Sequence, residues 1–215
     1  MPNPLDREAL RERVQSVVDA EISAQRQVLA ALGSDVEPLV ETVADLIQGG
    51  KRLRAGFLYW GYRASGMPGT DAVVRLATAT EFFQAAALLH DDVMDHSDIR
   101  RGRPSAHRAF ADHHDAHDWE GSSADFGAAG AILAGNLCLG WSDTLVATCG
   151  LPHDAIARAR TDYDAMRTQL MGGQFLDLLL SARGWAGETT AQRIDQARKV
   201  IRFKSAKYSI EQPLL

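Results

Sequence analysis

Residues 70–95 read TDAVVRLATATEFFQAAALLHDDVMD, and this stretch decides the fold class. Val73, Val74, Leu76, Phe83 and Leu88 recur at helical spacing, neither glycine nor proline interrupts the run, and Thr70 with Asp71 supplies capping groups for a helix start. The spacing predicts one long helix that carries Asp91, Asp92 and Asp95 at its C-terminal end. Residues four apart on a helix lie one turn above each other, so Asp91 and Asp95 project from one face with Asp92 at its edge. Three carboxylates so placed repel. Divalent cations neutralise them, and Mg²⁺ takes a few carboxylate oxygens together with waters and phosphate oxygens. From this motif alone, a solvated acidic helix end is the commoner reading.

Outward from this helix the signal is α throughout, with no strand pattern, repeat or low-complexity tract. Leu10, Val14, Val17 or Val18, Ile22, Val28 or Leu29 and Leu32 mark a first helix stopped by Gly33. Pro38 sits in the first turn of a second, carrying Leu39, Val43, Leu46 and Ile47 and ended by Gly49-Gly50. A third runs from about Leu53 to Ser65. Residues His96 to Ala124 lose the apolar period and read as a long connection or lid. Helices resume at Phe126–Cys149, Pro152–Ser181 and Thr190–Tyr208, where Pro213 opposes smooth continuation.

With 215 residues, 46% of them hydrophobic, the chain is long enough for a substantial core, and one helical domain over residues 1–215 is expected. Asp6, Glu8, Arg11 and Glu12 interrupt Met1–Val18, which argues against a secretory leader. Cys138 and Cys149 lack metal-type spacing, so a reduced compartment, the cytosol, is the expectation. The longest candidate span, Phe126–Val146, contains Asn136 and Asp143 and reads as a core helix, so no transmembrane segment is expected. The net charge of −5 argues against a nucleic-acid surface. Yet Lys51, Arg52 and Arg54, and Arg100, Arg101 and Arg103, form two tight basic clusters, as a discrete anionic ligand would require.

Those clusters flank the aspartates: GGKRLR (49–54) precedes Asp91 by forty residues at Lys51, and RRGRP (100–104) begins five residues after Asp95. Arginine presents a fixed fork that matches phosphate bidentately, and Lys51 adds a compact charge beside flexible glycines. Either run alone reads as a solvated face. Together with the aspartates they describe two diphosphate sites, one bridged by metal and one held by cations.

GGKRLR, LLHDDVMDHSDIRRGRPSAH (88–107), GGQFLDLLL (172–180) and FKSAKYSIEQPL (203–214) occur in order, and over residues 40–215 the chain resembles the N-terminal part of the trans-prenyl diphosphate synthases. The resemblance implies an all-α isoprenoid synthase bundle around a central cavity. It implies condensation of isopentenyl diphosphate with an allylic diphosphate, by a homodimer using Mg²⁺ as cofactor. By similarity, Asp91 and Asp95 hold Mg²⁺ against the allylic diphosphate. Lys51, Arg54, Gln84 and Arg101 match the positions that hold isopentenyl diphosphate, and Arg100, Lys204 and Ser205 those that hold the allylic group, with Arg100 and Lys204 assisting catalysis. Ser205 stands where threonine is more usual, a change that keeps the hydroxyl.

Further residues carry weighed readings. Gly172-Gly173-Gln174 interrupts a good helix, so either a ligand approaches closely, making Gln174 a substrate-binding candidate beside Asp177, or two helices cross tightly. His113, His114 and His117 with Asp115 and Asp118 have partial zinc spacing but no matching partner, and read as a solvated lid. His90 reads as a core or supporting residue. Ala86 and Ala87 stand where short-chain relatives place a bulky aromatic, and Phe83, about 12 Å below Asp91, is the first aromatic that could stop a growing tail. These three chain-length candidates favour geranylgeranyl diphosphate, although the alanines equally permit close helix packing.

One departure matters. Relatives carry a second aspartate-rich motif downstream of the KSAKY segment, and residues 1–215 contain none, so the domain is expected to be incomplete at its C-terminus and inactive by itself. A non-catalytic partner or regulatory subunit is the alternative from another class. A type I terpene cyclase ranks third, because it requires neither GGKRLR nor the paired arginines.

Overall fold

Helix α1 (Leu10–Leu29) places Leu10, Val14, Val18 and Ile22, each four residues on, in a single buried stripe, while Val28 near its end is exposed. A 3₁₀ turn, Ala30–Leu32, and Gly33 at φ +95° then stop the chain. Helix α2 (Glu37–Ile47) carries Pro38 in its first turn, where no N–H is needed, and buries Val40, Val43 and Ile47. Helices α3 (Leu53–Ala64) and α4 (Asp71–Met94) follow. A two-stranded ribbon, β1 (Ile99–Arg100) against β2 (Arg103–Pro104), leads to α5 (Ala106–Ala116), α6 (Ser123–Ala147), α7 (His153–Arg183) and α8 (Thr190–Val200). The computed structural model describes residues 4–215, and the described residues fall into two compact units, one within Met1–Arg52 and Val74–Cys149, the other within Leu53–Val73 and Gly150–Leu215. The architecture is all-α, as the periodicity predicts.

In the first unit, α6 packs against α5 through small residues. A side chain on Gly130 would lie 2.7 Å from the Phe110 ring, and one on Gly127 or Gly135 would meet the His107 carbonyl or the His90 ring. Ser142 on α6 donates to the Ala79 carbonyl of α4 at 2.6 Å, and Phe82 meets Trp141 edge to face. By length and composition α4 is the described helix that could cross a membrane, but most of its apolar stretch is buried. This replaces Phe126–Val146 as the candidate span and assigns α4 to the core.

Two expectations need correction. The segment 96–124 is not simply a connection: α5 occupies its middle and buries Phe110, Ala111 and His114. His114 is no solvated lid residue, since it is 4% exposed, bonds the Glu120 carbonyl at 3.1 Å and packs beside Trp119 and Phe126. The ribbon is a second element the pattern did not announce. Pro213, moreover, does not end the helical path. The backbone runs from α8 through a π-helical stretch, Ile201–Glu211, into a last turn, Gln212–Leu214, with proline in the first-turn position that tolerates it.

In the second unit, α7 packs against the π-helical stretch at Gly173. An added Cβ there would lie 2.5 Å from the Lys204 nitrogen and 2.6 Å from the Phe203 carbonyl carbon, whereas one at Gly172 meets nothing within 4 Å. Of the two readings of this glycine pair, the tight crossing accounts for Gly173. A capping box between Thr189 and Gln192 starts α8.

Candidate active site

The aspartate motif occupies the last turn of α4, and its geometry follows from how that helix stops. Asp95 N–H still bonds Asp91 O at 2.8 Å, then His96 turns to φ +51° and Ser97 N–H reaches back to Asp92 O at 2.9 Å. This left-handed cap closes the helix one residue past Asp95. Asp91 and Asp95 are left on successive turns, half-buried and exposed, while the Asp92 side chain is only 4% exposed.

Arg100 comes to the motif from the ribbon. Its Nε lies 3.1 Å from both Asp92 oxygens, its Nη2 also bonds Asp92 Oδ1, and Asp91 Oδ2 stands 3.9 Å away. The Asp92 hydrogen bond first, then the fields of Asp92, Asp91 and Asp95, hold the guanidinium above its ordinary pKa against partial desolvation. The ribbon turns at Arg101-Gly102, both at positive φ (54° and 78°), the geometry of a two-residue hairpin turn. Glycine adopts it freely. Among the described residues Arg101 is held there by the Leu46 carbonyl at 3.2 Å and by no carboxylate. A cavity of about 440 Å³ opens here, with Asp92, Arg100, Arg101, Leu46, Phe110 and His113 in its wall.

The remaining candidates divide between the units. In the first, Lys51 is exposed and forms no ion pair among the described residues, and Gln84 is half-buried on α4. Glu81, Gln84, Ala87, Leu88 and Asp91 form the half-exposed stripe of α4, which includes Ala87, whereas Phe83 (2% exposed) and Ala86 (0%) lie in the core. In the second, Lys204 Nζ pairs with Asp177 Oδ2 at 2.6 Å, Ser205 is exposed beside it, and Gln174 is half-buried one turn before Asp177. Arg54 donates to Tyr208 Oη at 3.0 Å and Ser209 Oγ at 2.6 Å, and stacks on the Tyr208 ring. Tyr208 and Ser209 escaped the sequence reading. A buried tyrosine in the segment that carries Lys204 was the available signal.

Asp91 and Asp95 are oxygen donors on adjacent turns of an accessible helix end. Among the described residues no three His, Cys, Asp or Glu side chains stand together as a complete metal site. Two carboxylates on successive turns are the kind of donor set that a hard cation such as Mg²⁺ shares with water and phosphate oxygens.

A family model described as polyprenyl synthetase matches residues 36–215. The chain belongs to the polyprenyl synthetase family. Relatives of the chain include an octaprenyl diphosphate synthase of Haemophilus influenzae, 34% identical over 127 residues, covering 58% of this chain and 33% of the relative. A geranylgeranyl diphosphate synthase of Methanosarcina mazei is 28% identical over 158 residues, 74% of this chain and 44% of that protein. Among solved structures, a geranylgeranyl pyrophosphate synthase of Corynebacterium glutamicum, complexed with isoprenyl diphosphate and magnesium, superposes at TM-score 0.84 with 36% identity, over 96% of this chain and 57% of that one. The chain thus spans between 33% and 57% of the length of these relatives.

Proposed function

We propose that the protein is a trans-prenyl diphosphate synthase that condenses isopentenyl diphosphate with an allylic diphosphate, with geranylgeranyl diphosphate as its product. The observation that carries this reading is the pairing of opposite charges at the end of α4: Asp95 exposed, Asp91 half-buried near Arg100, Asp92 committed to Arg100. One jaw suits a metal-bridged diphosphate and the neighbouring cations suit the phosphates themselves.

In this reading Asp91 and Asp95 hold Mg²⁺, which when bound neutralises the charge that builds on the departing pyrophosphate. By the same resemblance, Arg100 and Lys204 would each offer fixed positive charge to a diphosphate leaving group. Lys51, Arg54, Gln84 and Arg101 hold isopentenyl diphosphate. Ionisation of the allylic C–O bond leaves a cation that water must not reach, and apolar helix faces exclude it. The new carbon–carbon bond forms when the isopentenyl double bond attacks that cation, and pyrophosphate takes the final proton.

The product assignment draws support from Ala87 on the half-exposed stripe of α4, and from the name of the Corynebacterium structure. A cytosolic location is supported by two unpaired cysteines, and a homodimer by exposed Phe126, Ile132 and Leu133 on α6. A second reading, as one component of a two-part synthase, has its own support. One relative is named heptaprenyl diphosphate synthase component 2, from Geobacillus stearothermophilus, and α7 leaves Met171 and Phe175 exposed one turn apart.

The test is incubation with radiolabelled isopentenyl diphosphate, farnesyl diphosphate and Mg²⁺, with products separated by length. A twenty-carbon diphosphate, lost in Asp91→Ala, is expected from the whole protein, and little or no turnover from residues 1–215 by themselves. Absence of any elongated product, alone and with a second synthase chain, would sink the enzymatic reading, and a farnesyl end product from shorter starters would sink the length assignment.

A further inference from the structure

Gly49 and Gly50 have φ values of +66° and +90°, and Arg52, which has a side chain to accommodate, sits at +52°. A non-glycine residue in this region is strained unless something holds it there. The holding contacts are explicit. The Arg52 side chain is 4% exposed, its Nη2 donates to the Ile47 carbonyl at 2.7 Å and to Gln15 Oε1 at 2.6 Å, and its Nη1 faces Glu81 Oε2 at 3.4 Å. Gln15 Oε1 also accepts from Gly49 N–H at 3.3 Å, and Gln15 Nε2 donates to Gln48 Oε1 at 3.0 Å. One glutamine of α1 and one buried arginine therefore fasten the loop at Gln48, Gly49 and Arg52. Lys51, between the fastened residues, is exposed and carries a charge that no described side chain neutralises.

Counted in sequence, Arg52 is simply another cation of the GGKRLR cluster. Its burial takes it out of reach of any ligand and gives it a different task. We infer that Arg52 is a positioning residue which, latched to Gln15 and the Ile47 carbonyl, fixes the backbone of residues 48–52 so that Lys51 is presented to the diphosphate of isopentenyl diphosphate. The inference rests on the reading of Lys51 as a ligand of that diphosphate. A lysine on an unlatched diglycine loop would have to be ordered at the moment of binding, and preorganisation removes that cost.

The test is calorimetric titration of the purified protein with isopentenyl diphosphate, at a temperature where each variant is fully folded. Arg52→Met is expected to raise Kd about tenfold, as Lys51→Met does, the scale of one charge-assisted hydrogen bond. Gln15→Leu is expected to shift Kd in the same direction. In Arg52→Ala, added methylguanidinium is expected to restore the affinity, a repair that a merely loosened core would not show. Wild-type affinity in Arg52→Met alongside a weakened Lys51→Met overturns the inference and leaves the role of Lys51 standing. Wild-type affinity in both overturns that role, and the inference with it. If Arg52→Met does not fold, Gln15→Leu decides, and an unchanged Kd there overturns the inference, as does a loss in Arg52→Ala that methylguanidinium leaves unrepaired.

Discussion

Asp92 and Arg100 show how neighbouring residues of one motif divide their duties. Asp92 is buried and fully engaged by Arg100, while Asp91 and Asp95, one residue and three residues away, stay accessible. Asp92→Asn keeps the shape but removes the charge that offsets a partly buried guanidinium, and we expect a loss of about 2 kcal/mol in urea unfolding. An unchanged midpoint would show that the pair contributes nothing to the fold. Cys138 offers a second measurement at this scale. Its thiol is fully buried and desolvation raises its pKa, so the folded state keeps a proton that the unfolded state releases. Unfolded chains bind fewer protons above about pH 8.5, and stability therefore falls as pH rises through that value. Cys138→Ala should flatten the alkaline limb of the stability profile. At this scale the sequence was partly legible. The spacing of Asp91 and Asp95 follows from helix geometry alone, but the burial of Arg52 depends on Gln15, contributed by a different helix 37 positions away.

At the scale of elements, the glycine pair on α7 separates two effects that sequence cannot. Gly172→Ala adds a methyl group to open space and removes helix-interior backbone entropy, so it should stabilise by about 0.5–1 kcal/mol. Gly173→Ala drives the same methyl group into the backbone of Phe203 and Lys204 and should destabilise by about 2 kcal/mol or more. Thermal unfolding of the two variants gives opposite signs, and equal signs would deny the close crossing. Helix α4 was legible because its apolar residues keep the helical period without a breaker. Helix α5 was not, because its buried face is built from Phe110, Ala111 and a histidine, and His114 counts as polar until its ring is seen between α5, Trp119 and Phe126. The π-helical stretch at 201–211 was equally hidden, since its register is a matter of backbone bonding that residue types do not announce.

For the whole molecule, the two diphosphates should respond differently to metal. Chelation with EDTA is expected to weaken binding of a non-ionisable allylic thiolodiphosphate by tenfold or more while leaving isopentenyl diphosphate affinity within about twofold, because only the former is read as metal-bridged. Equal losses for both ligands in calorimetry would mean that the cation sites do not stand alone. The cap at His96 has a consequence for this balance. The helix closes immediately after the aspartates, so three carboxylates sit at the end of a 24-residue helix where the aligned peptide dipoles already concentrate about half a negative charge. Helices ordinarily favour lysine or arginine there. The acidic end adds to the dipole potential instead of cancelling it, with Arg100 as counter-charge, and the resulting local field is one that would attract dications. Such a field is screened over about 10 Å at 0.1 M salt. Ionic strength then becomes a tuning variable, with cation uptake steepest in dilute buffer and shallower as monovalent salt rises.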